Sequence, residues 1–277
     1  MSWLAQTVVS LVSLPLIALS VLGSPAALAG PFEVAISPSR FELSGRNTQR
    51  IGQSLDIQNL GSAPTEVSVR TIDWTYSPEG HITYHDALQP GSCRTWVTLE
   101  RKLVRVPARG KASFRFQVDV PVDAQRGECR FMLAVEGVEP AHKALIEGGG
   151  GASLSLPVNG RIAVAVYMAL NGAQPQLEMR SVGVQEVNGT RKPVVTVHNT
   201  GDAHGRLDGS LEAVDAKGTR LELAPEGTPI LPGQTRTLPL SPSAPGQAKP
   251  PAMVFPLQAD GTIDWDRGAF KVKAEFQ

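Results

Sequence analysis

Alternation with a period of two constrains this chain more than any other feature of its sequence. Ser113-Phe114-Arg115-Phe116-Gln117-Val118-Asp119-Val120 places Phe114, Phe116, Val118 and Val120 on one side of an extended backbone and polar residues on the other. Such a segment buries one face only as a β-strand, because a helix would scatter the same side chains around its axis. Phe131, Leu133 and Val135 alternate in the same way, and Arg50 to Gln58 does so more loosely around Leu55 and Ile57. Glu66 to Tyr76 begins with Val67 and Val69 on one face and then moves to Ile72, Trp74 and Tyr76. That change predicts a bulge or a buried strand. Beyond residue 30, no segment keeps a helical period through three turns.

Turn signals punctuate these runs at short spacing: Asn59-Leu60-Gly61, Ser77-Pro78-Glu79-Gly80, Pro107-Ala108-Arg109-Gly110, Asn188-Gly189 and Pro232-Gly233. The 27 Gly and 22 Pro of the chain fit many such turns and not long helices. A length of 277 residues leaves room for two domains. The expected fold is therefore all-β, with two immunoglobulin-like sandwiches in tandem. The halves echo each other. Ile57-Gln58-Asn59-Leu60-Gly61-Ser62-Ala63 resembles Val197-His198-Asn199-Thr200-Gly201-Asp202-Ala203, and Val106-Pro107 is echoed by Leu231-Pro232. Duplication of one strand plan explains both echoes, and chance likeness of turn chemistry is the competing reading. A break near Asn171-Gly172-Ala173-Gln174-Pro175 divides the chain into 30–170 and 171–277, after a leader at 1–29.

The leader carries no Asp, Glu, Lys, Arg or His; an apolar run from Val8 to Leu22 is followed by Ala27-Leu28-Ala29. This is the pattern of a cleaved secretory signal, although its first residues lack the usual positive charge. An uncleaved anchor is the alternative, and Pro15, Gly23 and Pro25 argue against a continuous spanning helix. Export to an oxidising compartment, the periplasm, predicts that Cys93 and Cys129 pair. The entropic treatment of a loop of about 35 residues assigns such a bridge roughly 3–4 kcal/mol. Two cysteines cannot make a four-cysteine zinc site. A net charge of zero and a pI near 7.0 lack the basic excess of a nucleic-acid binder.

Residues 148–167 read GGGGASLSLPVNGRIAVAVY. Four glycines with little conformational preference precede a run in which Leu154, Leu156, Val158, Ile162, Val164 and Val166 all take even positions. One extended strand over that run would span about 43 Å at roughly 3.3 Å per residue, against the usual 3–10 residues of a strand. Ile162 to Val166 suits the core of the first domain. Leu154, Leu156 and Val158 follow a glycine loop, where an apolar strand at an edge needs a partner. Binding by β-strand addition fits that placement.

At this point the chain resembles the periplasmic pilus-assembly chaperones of the PapD-like family. Ile36-Ser37-Pro38-Ser39-Arg40 resembles the family's first strand, which ends in a basic residue. Leu55-Asp56-Ile57-Gln58-Asn59 resembles its second strand and turn, and Pro121 to Phe131 (PVDAQRGECRF) resembles the segment before strand F. The alternating stretch falls where the family's donor strand G lies. The resemblance implies that Leu154, Leu156 and Val158 fill the groove of an incomplete subunit sandwich. It also implies that Arg40 and Arg161 grip the subunit's C-terminal carboxylate in a cleft between the domains. The expected partners are pilus or fimbrial subunits and an outer-membrane usher, with self-association through the donor strand in the free protein and with no cofactor. The second domain matches only loosely, the second anchor is normally Lys, and the segment before Cys129 is longer than usual. The chain thus reads as a divergent member.

Other chemistry is weaker. His81 and His85 share a strand face, but no third metal ligand is evident and exposed hairpin residues fit better. Asp264 and Asp266 flank Trp265 in a way that suits a sugar site less well than a surface strand. There is no Gly-x-Ser-x-Gly elbow, Walker loop or dinucleotide fingerprint, and nothing supports catalysis. The rival reading is a structural subunit, a minor pilin or adhesin. Such a subunit would carry its donor strand as an N-terminal extension, for which Gly30-Pro31-Phe32-Glu33-Val34 leaves no room before the first strand.

Overall fold

A computed structural model describes residues 32–90, 92–138, 142–147, 153–158, 160–244 and 252–277, with backbone alone for 142–147 and 153–158. The leader at 1–29 lies outside the described residues. Among them there is one 3-10 turn, Arg94–Trp96, and no α-helix. The first part of the chain forms β1 (Val34–Ser37), β2 (Arg40–Gly45), β3 (Arg50–Asn59), β4 (Thr65–Tyr76), β5 (Ile82–His85) and β6 (Val97–Leu99). It continues through β7 (Leu103–Val106), β8 (Lys111–Asp119), β9 (Gly127–Gly137), β10 (His142–Glu147), β11 (Ser153–Val158) and β12 (Arg161–Leu170).

One sheet runs β1-β3-β8-β6 and the other β2-β12-β9-β4-β5, with β7 beside β4. The first edge strand is split at Pro38-Ser39, so that β1 pairs with β3 while β2 crosses to run parallel to β12. These are the two sheets of an immunoglobulin-like sandwich. Their facing sides bury the alternating residues: Leu55, Ile57, Phe114, Phe116, Val118, Phe131, Leu133, Val135, Val164 and Val166. Phe116 meets Phe41 and Phe131 edge-to-face, with ring centroids 5.1 and 6.3 Å apart. Each fully buried side chain of this size stabilises by roughly 1.5–3 kcal/mol. Cys93 and Cys129 are joined across this core with their Cα atoms 5.9 Å apart.

The expected shift of face in β4 has a packing cause. Its pairing with β9 runs without a slip from Val67↔Gly137 to Ile72↔Met132, so no bulge occurs there. Val67 and Val69 enter the first core, whereas Ile72, Trp74 and Tyr76 point outward into a second apolar cluster with Met132, Ala134, Tyr167 and Leu231. Leu231 belongs to the second sandwich. β4 is hydrophobic on both faces because both are covered.

The single extended strand expected over 154–166 is divided. β11 pairs with β10 from Glu147↔Ser153 to His142↔Val158 as a separate two-stranded hairpin. β12 begins afresh at Arg161, between β9 and β2. Gly160 sits at the division. A Cβ there would lie 2.3 Å from the ring of Phe32, which also packs beside Gly137. The Phe32 ring thus caps the end of the core where the hairpin leaves it.

The second part forms β13 (Leu177–Val187), β14 (Thr190–Asn199), β15 (Asp208–Val214), β16 (Arg220–Pro225), β17 (Thr235–Ser243), β18 (Leu257–Trp265) and β19 (Gly268–Phe276). Strand order is β13-β14-β17-β16-β15-β18-β19. β17 pairs with β14 through Thr235–Pro239 and with β16 through Leu240–Ser243, so it passes from one face of a second sandwich to the other. Val195, Val197, Leu211, Leu223, Leu238, Ile263 and Phe276 fill the space between the faces.

The sequence echo marks equivalent corners. The Asn59 amide donates to the carbonyls of Ala63 and Pro107 at 2.7 and 3.1 Å and accepts from Gly61 N–H at 2.9 Å. The Asn199 amide donates to Ala203 and Ile230 at 2.8 Å each and accepts from Gly201 N–H at 2.9 Å. Asn59 N–H donates to Gly110 at 2.8 Å and Asn199 N–H to Gln234 at 2.9 Å. Arg109 and Gly233, each just before that acceptor, have φ of 51° and 73°. One corner design occurs twice, which favours duplication over chance.

Candidate functional site: the outer face of the first sandwich and its clasp

The parallel pairing of β2 with β12 and the antiparallel pairing of β12 with β9 fix the outer face row by row. Arg161 lies beside Glu136, Ala163 beside Ala134, and Ala165 between Arg40 and Met132. Tyr167 lies between Glu42 and Arg130, and Ala169 between Ser44 and Glu128. Arg40 and Arg161 therefore share one face, separated along β12 by about 13 Å of strand. The small side chains of Ala163, Ala165 and Ala134 lie between them. This is an alanine floor with an arginine at either end.

Both arginines have carboxylate partners. Arg40 Nε donates to Glu42 Oε1 at 2.8 Å, and Arg161 pairs with Glu136. Glu136 also takes two bonds from Arg70, and Arg70 reaches Asp86 at 2.8 Å. Arg70 first, and then Arg161, holds the Glu136 carboxyl below the usual carboxylate range. A second carboxylate arriving on the alanine floor would have to share these guanidinium groups or displace their partners.

Farther along the same face the second sandwich closes over the first. His204, on the turn after β14, places Nδ1 2.5 Å from Glu128 Oε2 and Nε2 3.0 Å from Glu42 Oε2. Its ring stacks on Tyr167 with centroids 4.0 Å apart. Arg206 lies over the Tyr167 ring at 5.3 Å and donates to the Gly227 carbonyl at 2.8 Å. Burial pushes the Tyr167 hydroxyl up to about 12, against the opposing charge of Arg206. Burial also pushes Glu42 up, but His204, Arg40 and Arg206 outweigh it and hold the carboxyl down at about 2. At the other end of the contact, Gln234 donates to the Tyr76 carbonyl at 2.6 Å and Arg236 to the Pro78 carbonyl at 3.0 Å.

Leu154, Leu156 and Val158 lie on β11 by backbone register, and their side chains lie outside the described residues. Cys93 and Cys129 form the expected bond. His81 lies in the turn before β5, and His85 contacts the Thr75 hydroxyl at 3.1 Å. Among the described residues no group of His, Cys, Asp or Glu is arranged to hold a metal. Trp265 stacks on Phe270, and Asp264 lies opposite Asp208 in the sheet. The Glu42–His204–Glu128 triad escaped the sequence reading. Its members lie far apart in the chain, and no local motif marks them.

No family model matches the sequence, and no curated protein matches it. Solved structures do. The YadV chaperone aligns over 88% of this chain and 100% of its own, with 14% identity and a TM-score of 0.46. The class 5 fimbriae chaperone CfaA aligns over 80% and 99%, with 11% identity and a TM-score of 0.43. It is similar to fimbrial chaperones. A chain from the complex of the Salmonella enterica SafA pilin with the SafB chaperone aligns over 89% and 98%, with 15% identity and a TM-score of 0.46.

Proposed function

We propose that this protein is a periplasmic, non-enzymatic chaperone of the PapD-like kind, which holds pilus or fimbrial subunits by strand donation and delivers them to an outer-membrane usher. The observation that carries the reading is one of continuity. The apolar alternation at Leu154, Leu156 and Val158 sits on a hairpin that leaves the sandwich between adjacent strands, and its second strand leads directly into β12. β12 carries Arg161 and lies beside Arg40. A subunit strand laid along β11 would therefore run on toward the alanine floor, where its terminal carboxylate meets the two arginines. Main-chain hydrogen bonds to β11 supply affinity, and the alternate side chains enter the subunit's groove. An Arg fork suits the carboxylate through paired N–H donors.

The test is recovery of partners of the tagged protein from periplasmic extract of its own host. Wild type is expected to recover a small exported β-rich protein, and Leu156→Glu and Arg40→Ala are expected to lose it. Retention of the same partner by both variants would refute strand donation with an anchored end.

A further inference from the structure

His204 belongs to the second sandwich, yet both its ring nitrogens face carboxylates of the first. Glu128 Oε2 on β9 is 2.5 Å from Nδ1, and Glu42 Oε2 on β2 is 3.0 Å from Nε2. The His204 backbone N–H also donates to Glu128 Oε2, at 2.8 Å. Two N–H donors exist only on the imidazolium; a neutral ring would turn a lone pair toward one of the two anions. The side chains of His204 and Glu128 are 9% and 1% exposed, so water cannot replace a bond lost on that side, whereas Glu42 is 43% exposed. We infer that His204 is a pH-operated clasp, which fixes the second sandwich against the first while the ring is charged and loosens their relative orientation when the ring is neutral.

The other charged and titratable groups around the ring are consistent with this role. Arg130 on β9 pairs with Glu128 at 2.9 Å, and Arg40 on β2 with Glu42 at 2.8 Å. Arg206 Nε is 3.4 Å from Glu42 Oε1. Tyr167 on β12 is stacked on the ring and stays neutral, and Asp266 and Arg267, between β18 and β19, line the same cavity of about 310 Å³. Arg126 and Asp202 pair nearby at 2.5 Å, with side chains 57% and 36% exposed. Such an exposed pair holds weakly. Leu231, Gln234 and Arg236 anchor the far end of the contact by packing and by bonds to carbonyls, which do not titrate. Loss of the His204 proton thus weakens one end of the contact, where the His204 backbone N–H and Arg206 remain, and leaves the other as a pivot.

The direction with pH follows from the environment. Burial lowers the affinity of His204 for its proton, but the hydrogen bonds to Glu128 and Glu42 outweigh burial and raise it above the ordinary histidine value. A raised group contributes fully below its ordinary value, and the contribution is lost as pH rises through the raised one. The clasp is therefore closed below the ordinary histidine value and opens as pH rises through the raised one.

The test uses the whole chain with spin labels at Lys111→Cys on β8 and Lys271→Cys on β19, and reads the inter-label distance distribution from about pH 6 to about pH 9.5. The expected result is a narrow distribution at the acid end that broadens as pH rises, at the pH where the His204 ring titrates by NMR in the unlabelled wild type. His204→Gln, which keeps only one donor group, is expected to lose the pH dependence and stay broad throughout. A distribution that does not change with pH would overturn the clasp. So would a transition that survives in His204→Gln, or one whose midpoint differs from that of the ring. These readouts involve no subunit, so they stand or fall separately from the chaperone reading.

Discussion

Arg40 and Arg161 stand on the same outer face of two parallel neighbours, with Arg40 in register with Ala165, four residues along β12 from Arg161. Each is already held by a carboxylate of the protein, Glu42 or Glu136. On the proposed reading, a subunit's terminal carboxylate would compete with these internal partners for the two guanidinium groups. If the two arginines hold a subunit's free C-terminus as proposed, loss of either should remove a charge-assisted bond of about 1.5–3 kcal/mol, or roughly ten- to a hundredfold in affinity. Arg161→Ala and Arg40→Ala should each show that loss by titration calorimetry with the recovered subunit. Amidation of the subunit's C-terminus should weaken wild type and leave the variants nearly unaffected.

Glu128 is almost fully buried, and its carboxyl is held below the usual carboxylate range because the His204 bonds and charge outweigh burial. A depressed carboxyl contributes stability that is complete above its unfolded value of about 4.3 and disappears as pH falls through the depressed one. Urea unfolding of wild type should weaken on acidification below about pH 4. Glu128→Gln should flatten that limb. It should also cost about 1.5–3 kcal/mol below the ordinary histidine value, because the charged ring loses one anionic partner and keeps only Glu42. An unchanged acid limb in the variant would show that Glu128 is not the group responsible.

The paired corners at Asn59 and Asn199 make a local prediction. Each buried amide bonds both its own turn and the approach to the next strand. Removing it leaves buried carbonyls without donors, at about 1–3 kcal/mol each. Asn59→Ala should lower hydrogen-exchange protection in β3 and β8, and Asn199→Ala in β14 and β17, each within its own sandwich. Loss spreading equally through both sandwiches would contradict the separateness of the two cores.

Cys93 lies before the 3-10 turn and Cys129 on β9, so their bond ties a loop to the central strand of the core. Substituting both by Ala is expected to cost about 2–5 kcal/mol. A melting curve of wild type with reductant should fall to that of the double variant. Equal stability with and without reductant would remove the disulfide from the account.

How much of this was legible in the sequence depended on how local the cause was. The strands over 113–120 and 131–135 were readable because alternation is written into consecutive residues. The Asn59 and Asn199 corners were readable because turn chemistry occupies a handful of positions. The division of 154–166 was not, because the ring that requires Gly160 is Phe32, more than a hundred residues earlier in the chain. The face change in β4 was noticed but open to two readings, since its cause, Leu231, comes from the second sandwich. The same holds for the site. Arg40 and Arg161 were singled out by family resemblance, whereas the clasp joins Glu42 on β2, Glu128 on β9 and His204 on the turn after β14, which no sequence window contains.

The most direct test of strand donation places a photo-crosslinking amino acid singly at each position from 153 to 158 and measures crosslinking to the recovered subunit. Strand donation predicts strong crosslinks at 154, 156 and 158 and weak ones at 153, 155 and 157, a period of two that reports side chains entering a groove. Uniform crosslinking along the segment, or none at any position while the partner still co-purifies, would contradict it.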